Sequence, residues 1–210
     1  MTIQNTANGV SGTPLLDDAA LAERIFRHID DGTTDLGEQV WREPVSHYLS
    51  VERFNAECAL IRQHPTPFCP SAALPENGSY VARIAAGNPI VATRGEDGSV
   101  RAFINACRHR GMQVAAGNGC TRAFSCPYHG WTYGLDGSLK GIPGQSGFPT
   151  LNRDQHGLQE VSATERGGII YVQQEGDMDP ALLSDALDYF SGSQALFDQQ
   201  VLTDCANWKL

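Results

Sequence analysis

No run of apolar residues in this 210-residue chain approaches the roughly 20 that a membrane-spanning helix needs. Nor does the chain open like a signal peptide: Met1 to Thr13 is polar and uncharged, without a basic start or an apolar stretch. Basic residues are in deficit, at 15 against 24 acidic ones, and the net charge of −9 argues against nucleic-acid binding. Six cysteines are present, but Cys58, Cys69, Cys120 and Cys205 follow no framework spacing, so a disulfide scaffold is not indicated and a reducing, cytoplasmic setting is expected. One absence is local. Between Asp97 and Asp136 there is no carboxylate at all, while Arg101, Arg108, Arg110 and Arg122 fall inside that stretch.

What is there is an ordinary globular composition, 41% hydrophobic and 19% charged, long enough for one generous domain or a small one with flanking pieces. Asp17 and Asp18 stand before Leu21, Ile25 and Ile29, which predicts a helix with carboxylates at its start. A second helix is predicted from a Ser50 cap through Phe54, Cys58 and Ile61, ending at Pro65 and Pro67, with Cys58 a core residue. From Ser79 onward short strands are expected at Tyr80–Ile84, Ile90–Thr93, Val100–Ala106, Phe124–Ser125, Trp131–Tyr133, Leu158–Ala163 and Ile169–Gln173. Asp97-Gly98, Asn118-Gly119 and Asp136-Gly137 read as tight turns, and Gly141 to Gly157 as an exposed loop. Leu182, Leu183, Leu187 and Phe190 suggest a further helix after Asp179-Pro180. The class expected is α+β: a small antiparallel β domain over 65–174, with helical segments over 1–64 and 175–210.

Two segments inside the carboxylate-free stretch carry the chemistry. Cys107-Arg108-His109 and Cys126-Pro127-Tyr128-His129 are separated by 16 residues, and each supplies one thiolate and one imidazole. Gly111 and Gly130 follow, where backbone must bend closely. Two cysteines with two histidines are the ligand set of a Rieske [2Fe–2S] centre. A structural zinc site is the competing assignment, although zinc fingers usually gather both cysteines in one knuckle and both histidines on one helix. Reducing a neutral binuclear centre adds one negative charge, so nearby arginines would favour the reduced form. His28, His47, His64 and His156 show no ligand spacing.

At Cys107-Arg108-His109-Arg110-Gly111 and Cys126-Pro127-Tyr128-His129-Gly130-Trp131 the chain resembles the Rieske portion of bacterial aromatic ring-hydroxylating oxygenase α subunits. Trp41 to Tyr48, Val100 to Asn105 and Asn207-Trp208-Lys209 resemble that family's segment before the domain, its strand into the first loop and the opening of its catalytic domain. The resemblance implies that Cys107 and Cys126 hold one iron and His109 and His129 the other. It implies electrons taken from an NAD(P)H-linked reductase or ferredoxin and passed to a mononuclear Fe(II), with a homo-oligomer or a catalytic-domain partner. No sequence motif for that iron's facial triad is recognisable, so no catalytic residue is assigned, and the chain reads as truncated before the mononuclear iron domain, starting that domain at 175–210. High-potential relatives carry an extra cysteine in each loop and a hydroxyl residue after His-Gly. Both are absent here, with Trp131 in the latter place, so a low-potential centre is expected. A free-standing Rieske ferredoxin is the alternative. Leu21, Ile25, Leu183 and Phe190 are expected to leave apolar faces exposed.

Overall fold

A computed structural model describes residues 16–37 and 39–179. The helix expected after Asp179-Pro180, with Leu183 and Phe190, and the Asn207-Trp208-Lys209 segment lie outside the described residues. The chain divides into two compact units between His47 and Tyr48.

In the first unit, α1 (Asp18–Asp31) starts where the sequence places it, because the Asp17 carboxylate accepts from the Ala20 N–H at 2.8 Å. Gly32 stops it at φ 62°, the left-handed conformation that closes many helices. Leu21, Ile25, Phe26 and Ile29 all remain exposed. Short α2 (Val45–Leu49), which the sequence pattern does not signal, follows Pro44.

The second unit begins with α3 (Val51–Arg62), capped by Ser50 Oγ accepting from Arg53 N–H at 3.1 Å, with Cys58 buried as expected. The class is α+β. A seven-stranded antiparallel sheet runs in the order β1 (Thr66–Pro70), β10 (Ile169–Gln173), β9 (Glu160–Arg166), β4 (Val100–Ile104), β3 (Asn88–Arg94), β2 (Ser79–Ala85), β5 (Gly117–Cys120). A second sheet joins β6 (Phe124–Ser125), β7 (Thr132–Tyr133) and β8 (Leu139–Gly141). Strand alternation gives the large sheet two cores. Ile90, Ala92 and Ala102 face one with Phe68, Leu74 and Ile170, while Val91 and Phe103 face the other with Phe124, Trp131, Tyr133, Cys107 and Cys126. The second core lies between the sheets and carries the cysteines of the two segments.

Two expectations need correction, and strands β1 and β8 were not expected. Thr66–Pro70 is a strand despite Pro67 and Pro70; it forms one end of the sheet, where a missing N–H is tolerated. Asn118-Gly119 is no turn but the middle of β5, with Gly119 opposite Tyr80. A side chain there would press on the Tyr80 ring at 3.1–3.3 Å, so this glycine serves close approach. The segment 141–157 is only partly exposed: Ile142 is buried, and Phe148 and Leu151 pack against the core beneath Trp131.

Candidate metal centre

The two Cys/His loops share one backbone plan. In the first, Cys107 N–H donates to the Met112 carbonyl and Gly111 N–H donates back to the Cys107 carbonyl, both at 2.8 Å. In the second, Cys126 N–H donates to Trp131 O at 2.8 Å and Gly130 N–H to Cys126 O at 2.9 Å. Each cysteine therefore opens a turn that a glycine closes four residues later, at φ 75° for Gly111 and 71° for Gly130. The histidine stands two residues into the first turn and three into the second, and the frame is the same. The rings of His109 and His129 come within 4.7 Å, centroid to centroid. Cys107 and Cys126 are each 3% exposed, whereas Arg108 and Arg110 are exposed at the loop tips.

Aromatic side chains wall in His109. Trp131 stacks on it at 5.1 Å and 8° between planes, and Phe148 meets it edge-on at 5.9 Å. Trp131 itself is 2% exposed and belongs to the core. His129 lies against exposed Tyr128 at 3.7 Å, whose ring has the Arg110 guanidinium 6.0 Å away. Partial desolvation, and then the neighbouring His109 and Arg110, hold the His129 imidazole below its ordinary pKa. That shift favours the neutral imidazole, the form that binds metal.

Tyr133, from β7, reaches under the first loop. Its hydroxyl accepts from Arg108 N–H at 2.9 Å and lies 3.2 Å from Cys107 Sγ. With its oxygen already accepting, the O–H is free to donate to sulfur. Burial first, and the Cys107 contact second, push its pKa well up, so it stays a donor. Asn105 closes the first loop from behind, accepting from Val114 and Ala115 N–H and donating to Ala115 O. Neither residue was singled out from the sequence. One signal for Tyr133 was present: it stands two residues after Trp131, so strand alternation puts both on one face.

Two observations test whether these residues suit an iron–sulfur group. Among the described residues His109 Nδ1 is buried with no hydrogen-bond partner, an arrangement that costs roughly 1–3 kcal/mol unless something else binds it. The thiols of Cys107 and Cys126 are buried and unpaired by any disulfide. A binuclear cluster takes two protein ligands per iron, and the set fits that pattern. Of the remaining histidines, His28, His47, His64 and His156 each bond to a nearby side chain or carbonyl. Arg101, counted among the local cations, is engaged by Asp97 at 2.7 Å.

Residues 64–152, which hold both loops, match the Rieske [2Fe-2S] domain family. The chain is homologous to the α subunits of Rieske oxygenases. It is 32% identical over 210 residues to the glycine betaine monooxygenase oxygenase subunit of Chromohalobacter salexigens, covering 94% of this chain and 45% of that protein. With the biphenyl 2,3-dioxygenase α subunit of Rhodococcus jostii it shares 28% identity over 166 residues, 78% of this chain and 34% of that one. Naphthalene 1,2-dioxygenase from Rhodococcus sp. superposes with a TM-score of 0.64 at 29% identity, over 84% of this chain and 40% of that one. A quaternary ammonium Rieske monooxygenase shares the fold, at TM-score 0.68, 24% identity and 76% and 46% coverage. The chain spans less than half the length of each of these proteins.

Proposed function

We propose that Cys107 and Cys126 hold one iron of a [2Fe–2S] centre and His109 and His129 the other, within a Rieske domain spanning 65–174. Such a centre supplies one-electron transfer. The chain's own residues do the rest. Trp131 and Phe148 keep water from His109, Tyr133 donates a hydrogen bond to the Cys107 sulfur, and Arg108 and Arg110 offer positive charge at the exposed edge. The observation that carries this reading is the buried, unpartnered Nδ1 of His109 beside two buried thiols.

The wider role is the electron-receiving portion of a Rieske oxygenase. Electrons arrive from an NAD(P)H-linked reductase or ferredoxin and go on to a mononuclear iron for which these 210 residues carry no recognisable motif. Similarity to a monooxygenase subunit over 94% of the chain, well beyond 64–152, favours this over a free-standing ferredoxin. The relatives are named for substrates as different as glycine betaine and biphenyl, so the reading stays at Rieske oxygenase and is not narrowed to aromatic rings. Five free cysteines among the described residues suit a reducing compartment such as the cytoplasm. Among those residues no helix is long and apolar enough to cross a membrane.

Electron paramagnetic resonance of the full chain, reconstituted with iron and sulfide and then reduced, tests the centre. A Rieske signal is expected, and His109→Cys should keep a cluster but lower its potential, because a thiolate adds negative charge. A colourless protein holding one zinc would overturn the assignment.

A further inference from the structure

The two loops share a plan but are closed in different ways. Behind the second stands a β ladder: Phe124 pairs with Tyr133 and Ser125 with Thr132, immediately flanking Cys126 to Trp131. Among the described residues the first loop has no such ladder. The strand entering it, β4, pairs with β3 and β9, and the strand leaving it, β5, pairs with β2. Beyond the Cys107 N–H to Met112 O and Gly111 N–H to Cys107 O bonds at the turn itself, no backbone pairing among the described residues ties the two segments around Cys107 and His109.

Asn105 stands where the ladder is missing. Its backbone N–H is taken by Pro89 O at 2.8 Å, which anchors it to β3. Its side-chain Oδ1 accepts from Val114 N–H at 2.9 Å and Ala115 N–H at 3.2 Å, and Nδ2 donates to Ala115 O at 2.8 Å. The residue is 2% exposed. A primary amide has the acceptor and donor of a peptide group, so it can serve as one rung of a strand pair. Buried this deeply, all three bonds matter, because Val114 N–H would otherwise be an orphan in the core.

We infer that Asn105 is a positioning residue whose side-chain amide substitutes for the absent β ladder, closing residues 105–115 and fixing where Cys107 and His109 stand relative to the second loop. The inference rests on the reading of Cys107, His109, Cys126 and His129 as cluster ligands. It separates two duties: Cys107 and His109 bind, and Asn105 holds the frame they bind from.

The test uses the full chain carrying Asn105→Ala, with Asn105→Asp as a second variant that keeps the acceptor for both N–H groups but replaces the donor to Ala115 O by a second acceptor. Amide hydrogen exchange in the cluster-free protein reads the clamp directly. In Asn105→Ala, exchange should quicken at Gly111, Val114 and Ala115 while Cys126 and Gly130 keep wild-type rates. After reconstitution, the variant should lose its cluster to a strong iron chelator about 10–100-fold faster than wild type, the usual consequence of removing an outer-shell partner. Asn105→Asp should also quicken exchange at Ala115, because its second carboxylate oxygen faces the Ala115 carbonyl. Exchange rising uniformly over both loops would make Asn105 a general stability residue and overturn the inference. Unchanged exchange with unchanged cluster loss would overturn it too. If wild type forms no Rieske signal, the ligand assignment fails, and the exchange pattern still decides whether Asn105 clamps the loop.

Discussion

Tyr133 bears directly on the potential of the centre proposed at the two loops. With Trp131 where high-potential relatives carry a hydroxyl, the loop suggests a low-potential centre. Yet β7 delivers another hydroxyl, 3.2 Å from Cys107 Sγ. A donor to a ligand sulfur stabilises the more negative, reduced state, so this bond offsets part of the effect of the missing one. A net hydrogen bond contributes about 1 kcal/mol, which for a one-electron couple is roughly 40 mV. Tyr133→Phe is therefore expected to lower the midpoint potential by on the order of 40 mV. Voltammetry of the reconstituted variant reads this; an unchanged midpoint would mean that the hydroxyl serves only Arg108 N–H.

Among the secondary-structure elements, agreement with the sequence follows where local chemistry decides. Strand β10 occupies Ile169–Gln173 as expected, because a run of β-formers after Gly167-Gly168 has few alternatives. Strand β1 was hidden by its two prolines, whose acceptability depends on lying at a sheet end that only the assembled sheet defines. Asn118-Gly119 carries a true turn signal, overridden by Tyr80 across the ladder. In the site, the Cys/His pairs were legible because ligand chemistry lies in residue type and short spacing. Asn105 and Tyr133 were not, since each acts on a neighbour that the folded chain supplies. One tie between elements invites measurement. Arg94 of β3 reaches past the start of β4 to grip Glu165 of β9 through two bonds of 2.9 Å. That hydrogen bonding holds the Glu165 carboxyl below its ordinary pKa. A depressed carboxyl contributes stability above its unfolded value and loses it as pH falls through the folded one. With Glu165 about a third exposed, screening limits the contribution to about 1 kcal/mol. Urea denaturation should find Glu165→Gln less stable by that amount at neutral pH, with the difference lost as pH falls through the lowered pKa of the folded carboxyl. A deficit persisting in acid would mean that packing, not charge, is responsible.

Taken as a whole, the molecule sets two fields against each other at the loop tips. The chain carries −9, which repels an anionic partner at long range. The stretch from 98 to 135 holds no carboxylate, and of its four arginines only Arg101 is engaged by an acid among the described residues, Asp97. Arg108 and Arg110 are exposed beside the histidine-bearing turns, and Tyr128 and Met112 are exposed with them. The Debye length is about 10 Å at 0.1 M salt, so distant carboxylates are screened out while the two arginines still act on a partner at the loops. The local field should win, and an electron donor with carboxylates at its contact face would be favoured. Small redox reagents of opposite charge can measure this without a protein partner. Oxidation of the reduced, reconstituted protein by anionic hexacyanoferrate(III) should slow as salt is raised, and oxidation by cationic tris(phenanthroline)cobalt(III) should not. Replacing Arg108 and Arg110 together by Gln should abolish or reverse the first dependence. If hexacyanoferrate(III) instead reacts faster with added salt in the wild type, the net charge governs approach, and the arginines at the loop tips play no part in choosing the partner.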